Sequence, residues 1–138
     1  MNTKKFILAS LAGGIVTFLL GGLWHAIILA DFYETHSAAL ARPEPNMIMV
    51  ALGSLVIAVL MAYTYPIGYK GGSAVKEGFR FGALIGLIWV LPVSLIFSGV
   101  WNYPLVAVIV DSAWHIVEQG VVGIVIALIY GTAAASSE

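Results

Sequence analysis

The sequence predicts an all-α polytopic membrane protein, a bundle of four transmembrane helices. Hydrophobic residues occupy 61% of the 138 positions and charged residues only 9%, whereas soluble domains carry roughly a quarter charged residues. The hydrophobic residues also form four long runs, each close to the roughly 20 residues that a helix needs to cross the hydrocarbon core of a bilayer. The lipid bilayer is therefore the first predicted partner, and residues 1–138 are predicted to form one transmembrane domain.

The four predicted helices begin and end at recognisable residues. Their bounds are Phe6–Ala30, Met47–Gly68, Phe81–Val100 and Tyr103–Tyr130. The first run is longer than the roughly 7–15 apolar residues of a signal peptide, so we interpret it as a retained helix. Asn46 and Asn102 are placed to cap the second and fourth helices, and Pro104 to open the fourth. The third connection is then a tight hairpin.

Basic residues predict the orientation of these helices. Those near the N-terminus or in the second connection are Lys4, Lys5, Lys70, Lys76 and Arg80. The first connection instead carries Asp31, Glu34, Arg42 and Glu44. Because Lys and Arg are enriched in cytoplasmic loops, both termini and the second connection are predicted to lie in the cytoplasm. The chain is thus expected to be a multi-pass protein of the inner (cytoplasmic) membrane.

Small residues follow one face of each of the first three helices. These faces comprise Ser10, Gly13, Gly14, Thr17, Gly21 and His25 in the first helix, Ala51, Ser54, Ala58 and Ala62 in the second, and Gly78, Gly82 and Gly86 in the third. Small residues let helix backbones approach closely in lipid, so a compact bundle is expected. We interpret Pro92 in the third helix as a packing kink, with a gate as the alternative.

The fourth helix carries a polar stripe inside its apolar run. The members of this stripe are Asp111, Ser112, His115, Glu118 and Gln119. At about 100° per residue they span only about 120° of the helix circumference. A charged Asp at mid-bilayer costs on the order of 3 kcal/mol, so the stripe must face the bundle interior, a cavity or a partner subunit. It is the candidate ligand-binding site of the chain.

His25 of the first helix is the predicted partner of the polar stripe. At about 1.5 Å of rise per residue, His25 lies about 9 Å below the interface, Asp111 about 12 Å and His115 about 18 Å. His25 and Asp111 are therefore nearly level, and we predict a hydrogen bond or ion pair between them. Trp24 and Trp114 are expected to pack nearby.

Composition argues against several classes of function. The net charge of -1 offers no basic field for nucleic acid. The chain has no cysteine, which removes disulfides, thiolate catalysis and thiolate metal sites. No serine stands convincingly beside a histidine, so an enzyme is not favoured. No cofactor is predicted.

Three interpretations of the polar stripe are open. Its residues can form hydrogen bonds that hold the helices together, each hydrogen bond contributing about 0.6 kcal/mol on average in membranes. Because no Lys or Arg lies at this depth to neutralise Asp111 and Glu118, the stripe alternatively indicates a proton or cation pathway. His25, Asp111, His115 and Glu118 are also candidate metal ligands. A haem between His25 and His115 is disfavoured, because their depths differ by about 9 Å.

Two further features lie outside the stripe. Trp89 and Trp114 would lie near mid-depth, so we expect them to face other helices or a cavity rather than lipid. The run from Asp31 to His36 is interpreted as a solvated helix extension, with a surface cation site as the alternative.

Several short motifs resemble those of a family of small bacterial membrane proteins. They are Gly22-Leu23-Trp24 with Phe32-Tyr33, Pro45-Asn46, Gly82-Ala83-Leu84-Ile85-Gly86-Leu87 and Val110-Asp111-Ser112-Ala113-Trp114. The chain is similar to four-helix integral membrane proteins classed as a domain of unknown function. It departs from that pattern at Trp89-Val90-Leu91-Pro92, where a stretch containing Tyr and Asp is expected. The resemblance implies a fold and no mechanism.

The leading hypothesis is a non-enzymatic accessory or binding subunit whose polar stripe contacts a partner helix or binds a small ligand. A proton- or cation-coupled transporter that acts as an oligomer, with Asp111 and Glu118 carrying the charge, is the second. A metal- or haem-binding redox subunit is the third. A homo-oligomer or a larger membrane complex would suit each of them.

Overall fold

The computed structural model describes residues 2–69 and 71–131, which form helices joined by short connections. In chain order they are α1 (Thr3–Leu23), a π-helical turn (Trp24–Ile28), α2 (Ala30–Ser37), a 3-10 turn (Ala38–Leu40), α3 (Met47–Gly68), α4 (Ala74–Val100) and α5 (Leu105–Tyr130). Four segments, Thr3–Ile28 and the helices α3, α4 and α5, are long and apolar enough to cross a membrane. The predicted all-α fold with four membrane-spanning helices is therefore confirmed.

The two ends of the bundle have different contents. The terminal end, as we call it, holds the start of α1, the connection from α3 to α4 and the end of α5. The opposite end holds α2 and the connection from α4 to α5, and we call it the α2 end. Lys70, one of the basic residues used to predict the orientation, lies outside the described residues.

The bounds of α3 agree with the prediction, whereas those of α4 and α5 differ from it. Asn46 caps α3 as expected, since its Oδ1 accepts a hydrogen bond from the Met49 amide at 3.2 Å. α4 begins at Ala74 rather than Phe81 because its charged first turns are helical although they are not apolar. α5 begins at Leu105 rather than Tyr103. The predicted cap at Asn102 is wrong, since Pro104 occupies the N-cap position.

The first membrane-spanning segment changes its winding near the α2 end. The Leu29 amide donates to the Trp24 carbonyl at 2.9 Å, a bond across five residues that marks a π turn. The membrane-spanning segment ends with this turn, and it runs from Thr3 to Ile28 rather than from Phe6 to Ala30. The run from Asp31 to His36 lies inside α2, which confirms that it is a helix extension.

The glycines of α4 allow it to pack directly on the backbone of α5. Gly78, Gly82 and Gly86 are all buried. A Cβ atom added at Gly82 would lie 1.8 Å from the Gln119 carbonyl oxygen, and one added at Gly86 would lie 2.0 Å from the His115 carbonyl oxygen. Glycine is therefore required here for the two backbones to touch. The predicted small-residue face of α4 is confirmed, and it holds two residues of the polar stripe in place.

A second contact joins α1 to α3 and α5 in the half of the bundle near the terminal end. A Cβ atom added at Gly13 would lie 3.1 Å from the Ala58 Cβ and 3.4 Å from a Val122 methyl. The Tyr130 hydroxyl donates to the Ala62 carbonyl at 2.8 Å. The core of this half comprises Ala9, Met61, Ala62, Tyr65, Val122, Ile126, Ala127 and Tyr130. It is a largely apolar core with two phenols, Tyr65 and Tyr130, and the hydroxyl of Tyr130 is satisfied by that hydrogen bond.

The start of α3 lies away from the other helices. Every residue from 47 to 53 is exposed, and burial of α3 begins only at Ser54. Ala51 was predicted to lie on a packing face, and that part of the prediction is wrong. In a bilayer such apolar surface faces lipid chains, which removes the driving force to cover it with another helix.

Lys5 links the start of α1 to the end of α5, and its loss is expected to destabilise the protein modestly. Its Nζ donates to the Tyr130 carbonyl at 2.6 Å, at the C-terminus of α5. A cation in this position interacts favourably with the helix dipole, by about 0.3–1 kcal/mol. Lys5→Ala should therefore lower the thermal unfolding midpoint in detergent. Lys4→Ala is the control, since Lys4 is exposed, and an equal effect of both substitutions would contradict the assignment.

Candidate functional site

The Asp111 carboxylate is the centre of the site at the α2 end. The hydroxyl of Tyr33, in α2, donates to its Oδ1, and the hydroxyl of Tyr103, just before α5, donates to its Oδ2. Burial raises the pKa of Tyr33 and of Tyr103, and the hydrogen bond to Asp111 raises each further. Both phenols therefore remain O–H donors at neutral pH, and together they hold a buried carboxylate by both of its oxygens.

His25 approaches the same carboxylate from the π turn. Its Nε2 lies 3.7 Å from Asp111 Oδ1, so the predicted pairing with Asp111 is present as a contact longer than a hydrogen bond. Its Nδ1 lies 2.9 Å from the Gly21 carbonyl oxygen. A carbonyl only accepts, so Nδ1 carries the hydrogen and Nε2 is bare when the ring is neutral. A second proton would turn Nε2 into a donor toward Asp111.

The π turn and a pair of indoles position this end of the site. The Trp24 ring stacks on the Trp114 ring, with centroids 4.2 Å apart and planes inclined by 2°, which confirms the expected packing. Trp24 Nε1 also donates to the Tyr33 hydroxyl at 3.1 Å. The two hydrogen bonds, from Trp24 to Tyr33 and from Tyr33 to Asp111, therefore tie the π turn, α2 and α5 together.

A second acid and imidazole pair lies one to two turns further along α5. His115 Nδ1 lies 2.6 Å from Glu118 Oε2, and Gln119 Nε2 donates to the same oxygen at 3.1 Å. The exposed fraction is 1% for Glu118 and 0% for Gln119. The His115 side chain is 14% exposed. The prediction that the polar stripe faces the interior is confirmed for these residues and for Asp111 and Ser112, which are also buried.

The two pairs lie next to each other. The His25 and His115 ring centroids are 6.2 Å apart, closer than the predicted depth difference of about 9 Å between the two residues. That estimate counted backbone rise alone, and the two side chains extend toward each other from different helices. We call the series Tyr33/Tyr103, Asp111, His25, His115 and Glu118 the acid–imidazole line.

The acid–imidazole line has one open end. The His25 side chain is 41% exposed at the α2 end, whereas Glu118 is enclosed. Trp89 of α4 covers His115 edge-on, with ring centroids 5.3 Å apart. Trp89 was expected to avoid lipid, yet it is 45% exposed, so it faces His115 and the surroundings of the bundle at once. Between Glu118 and the terminal end, the described core is formed by hydrophobic residues. None of these core residues is exposed to the degree that His25 is.

The metal interpretation has little geometric basis. Among the described residues, no group of three or more His, Asp or Glu side chains is arranged to hold a metal ion. The candidates His25, Asp111, His115 and Glu118 instead form two separate pairs, each closed by its own contacts. The four side chains therefore do not converge on one metal position.

Sequence reasoning missed the two tyrosines that hold Asp111. Aromatic residues near a helix end are typical of the membrane interface, so Tyr33 and Tyr103 would be read as belt residues. The number of hydrogen bonds that the Asp111 carboxylate can accept could have pointed to these tyrosines. A buried carboxylate needs several donors, and both phenols lie at the interface from which the depth of Asp111 is counted, with side chains long enough to extend toward it.

Four buried polar atoms near the line have no hydrogen-bond partner within the described part of the chain. They are Thr17 Oγ1, Ser112 Oγ, Trp114 Nε1 and Gln119 Oε1. Three of them belong to α5, and two of those, on Ser112 and Gln119, to the polar stripe itself. The site therefore has hydrogen-bonding capacity that its own side chains do not use.

Comparison with known proteins assigns a family and no activity. No curated protein matches the chain, and neither does any solved structure. One family model, described as "Protein of unknown function (DUF1761)", matches residues 8–127. That stretch includes His25, Tyr33, Tyr103 and the whole polar stripe. The chain therefore belongs to this family, whose function is unknown.

Proposed function

We propose that the protein is a small cation-coupled transporter in which a proton or a monovalent cation moves along the acid–imidazole line. The observation that carries this proposal is that two buried carboxylates, Asp111 and Glu118, are bridged by two imidazoles 6.2 Å apart. The line reaches from an exposed histidine at the α2 end to a fully enclosed glutamate. Ionisable residues inside the membrane typically mark proton relays and ion pathways.

The charge of the line supports a cation rather than an anion. Within the described residues, neither carboxylate has a Lys or Arg among its hydrogen bonds or ion pairs. The partners of Asp111 are two phenols and an imidazole, and those of Glu118 are an imidazole and an amide. The phenol and amide donors stabilise a negative charge without cancelling it, and the bare Nε2 of neutral His25 donates nothing to Asp111, so a positive charge is the complementary ligand.

The blocked half of the bundle supports an oligomer. Between Glu118 and the terminal end, Val122 and Ile126 are fully buried, and among the described residues no further buried Asp, Glu or His continues the line. A cation at Glu118 therefore needs a rearrangement of the helices, or a route between copies of the chain, to cross the rest of the membrane. We propose that the working form is a homo-oligomer.

The alternative of an accessory subunit that docks a partner helix on the polar stripe has less support. Glu118 and Gln119 are already enclosed by the helices of this chain, so a partner helix would have to displace α1 or α4 to reach them. Binding of a small ligand at the same residues is compatible with the transporter proposal.

The proposed orientation places the open end of the line outside the cytoplasm. Lys4, Lys5, Lys76 and Arg80 lie at the terminal end, and the acidic residues Asp31, Glu34 and Glu44 at the α2 end. By the positive-inside rule, both termini face the cytoplasm of a cell whose inner membrane holds the protein. Cations would then enter the line from the outer side, through His25.

Flux measured in vesicles tests the proposal. The purified protein is reconstituted into liposomes that contain a pH-sensitive or a sodium-sensitive dye, and a gradient of the corresponding cation is applied. The wild-type protein should carry at least one of these cations. Asp111→Asn and Glu118→Gln remove the two negative charges with little change in volume, so both should reduce the flux to that of protein-free vesicles.

The matched control is Glu34→Gln, because Glu34 is an exposed acid of α2 outside the line, and it should retain full flux. The proposal fails if wild-type vesicles carry neither cation. It also fails if Asp111→Asn and Glu118→Gln lower the thermal unfolding midpoint but leave the flux unchanged, since the stripe would then serve only to hold the helices together.

A further inference from the structure

We infer that the face of α1 opposite Glu118 and Gln119 completes a binding site for a small alkali-metal cation, sodium, deep within the bundle. The site consists of three oxygens: Glu118 Oε1, Gln119 Oε1 and Thr17 Oγ1. The inference deepens the proposed function, on which it rests, because it names the cation that the line would carry and the residues that would hold it.

Gln119 provides the first oxygen, and its orientation is fixed. Its amide nitrogen donates to Glu118 Oε2 at 3.1 Å, and reversing the amide would place two acceptors against each other. Its Oε1 is therefore directed away from Glu118, with no hydrogen-bond partner among the described residues and 0% of the side chain exposed. Leaving a buried acceptor unmatched costs about 1–3 kcal/mol, which a ligand can recover.

Thr17 provides the second oxygen. Three other helical hydroxyls donate to the carbonyl four residues earlier, at 2.8 Å for Ser10, 3.0 Å for Ser54 and 2.7 Å for Thr64. Thr17 makes no such bond within the described chain, although it is only 7% exposed. Its hydroxyl oxygen is therefore available to a ligand in the space between α1 and α5.

Glu118 provides the third oxygen and the negative charge. Its Oε2 takes the bonds from His115 and Gln119. Its Oε1 faces α1, where a Cβ atom added at Gly21 would lie 3.2 Å from it. Glycine at position 21 thus leaves room beside this oxygen that a side chain would occupy.

The register of α1 against α5 brings the three oxygens within about one helical turn of each other. Gly21 lies against Glu118 and Gly13 lies against Val122. Thr17 is halfway between these two glycines on the same face of α1, so it is level with the turn of α5 that contains Gln119. Two uncharged oxygens and one carboxylate are hard donors, which suit alkali and alkaline-earth cations rather than transition metals. A single negative charge favours a monovalent ion.

Thermal unfolding of the purified protein in mild detergent tests the site, with sodium chloride compared with choline chloride at equal ionic strength. A ligand that binds the folded state raises the unfolding midpoint with its concentration, so sodium should raise it saturably and choline should not. Thr17→Val, which keeps the shape and removes the oxygen, should abolish the sodium-dependent shift. Thr64→Val is the matched control and should retain it.

Equilibrium binding of radioactive sodium provides a second measurement, should Thr17→Val alone destabilise the protein. Bound sodium should be lost in Thr17→Val and in Gln119→Leu and kept in Thr64→Val. The inference is overturned if sodium and choline give the same midpoint in the wild-type protein, or if Thr17→Val binds sodium normally. Proton flux in vesicles without sodium binding would overturn this inference and leave the proposed function standing. Sodium binding without any flux would support the site and reject the transporter.

Discussion

Gly82→Ala is expected to be among the most damaging single substitutions in the protein. The added Cβ would lie 1.8 Å from the Gln119 carbonyl oxygen and 2.6 Å from its carbonyl carbon, so α4 and α5 would have to separate along their main contact. Overpacking of a well-packed interface typically costs about 1–3 kcal/mol, and more where backbone must move. We expect a large fall in the thermal unfolding midpoint in detergent and loss of vesicle flux, since His115 and Gln119 share the displaced backbone.

Gly53→Ala is the control for this prediction. Gly53 lies inside α3, and a Cβ atom added there would meet nothing within 4 Å. Alanine has the higher helix propensity, so this variant should be as stable as the wild type or slightly more stable. The packing described for α4 and α5 would be contradicted if the two variants had the same unfolding midpoint.

Asp111→Ala is expected to release α2 from the bundle. It removes both acceptors of the Tyr33 and Tyr103 hydroxyls, and because both phenols are half-buried, each one left without a partner costs a part of the about 1–3 kcal/mol of a fully buried group. α2 has few other ties to the bundle, the chief one being the bond from Trp24 Nε1 to Tyr33. Hydrogen exchange of the α2 amides should therefore become faster, together with a fall in the unfolding midpoint.

Substitutions of different size separate the two roles of Asp111, which are to hold α2 in place and to supply a negative charge for flux. Asp111→Asn keeps one carbonyl acceptor and should disturb α2 much less than Asp111→Ala, although we expect it to abolish flux. Glu34→Gln removes the charge of an exposed acid of α2 outside its first turn and should leave exchange in α2 unchanged. If Asp111→Ala leaves the exchange of α2 at the wild-type rate, the two phenols do not hold this helix in place.

The scaffold could be predicted from the sequence because the bilayer imposes simple requirements. Length and apolarity predicted both ends of α3 correctly, and Asn46 marked its start. The same criterion placed the start of α4 seven residues late, since Lys76, Glu77 and Arg80 are polar although they continue the helix. Apolarity identifies the part of a helix that lies in hydrocarbon and does not detect the turns that extend into the interface.

The site was predicted where a single helix determined it and missed where separate segments met. The polar stripe of α5 follows from helical periodicity, and level depths were enough to pair His25 with Asp111. The role of Tyr33 depends on the π turn, and that of Tyr103 on the path of a short connection. Neither can be derived from a uniform rotation of about 100° per residue. The unpartnered oxygens of Thr17 and Gln119 likewise depend on rotamers and on the register between helices.

The π turn also lets a chain with one extra residue place Tyr33 over Asp111. A π turn is equivalent to an α-helix with one inserted residue, so the sequence Trp24–Ile28 contains one residue more than a regular helix would need to cover the same distance. Winding the same residues as a regular α-helix, without the bulge, would rotate everything that follows by about 100°. Tyr33 would then point away from Asp111 while all four membrane-spanning helices stayed intact. A relative with one residue fewer at this turn would need no bulge and would keep both the fold and the tyrosine over its buried acid, so a one-residue gap here should be accompanied by loss of the π turn and not by loss of the cover.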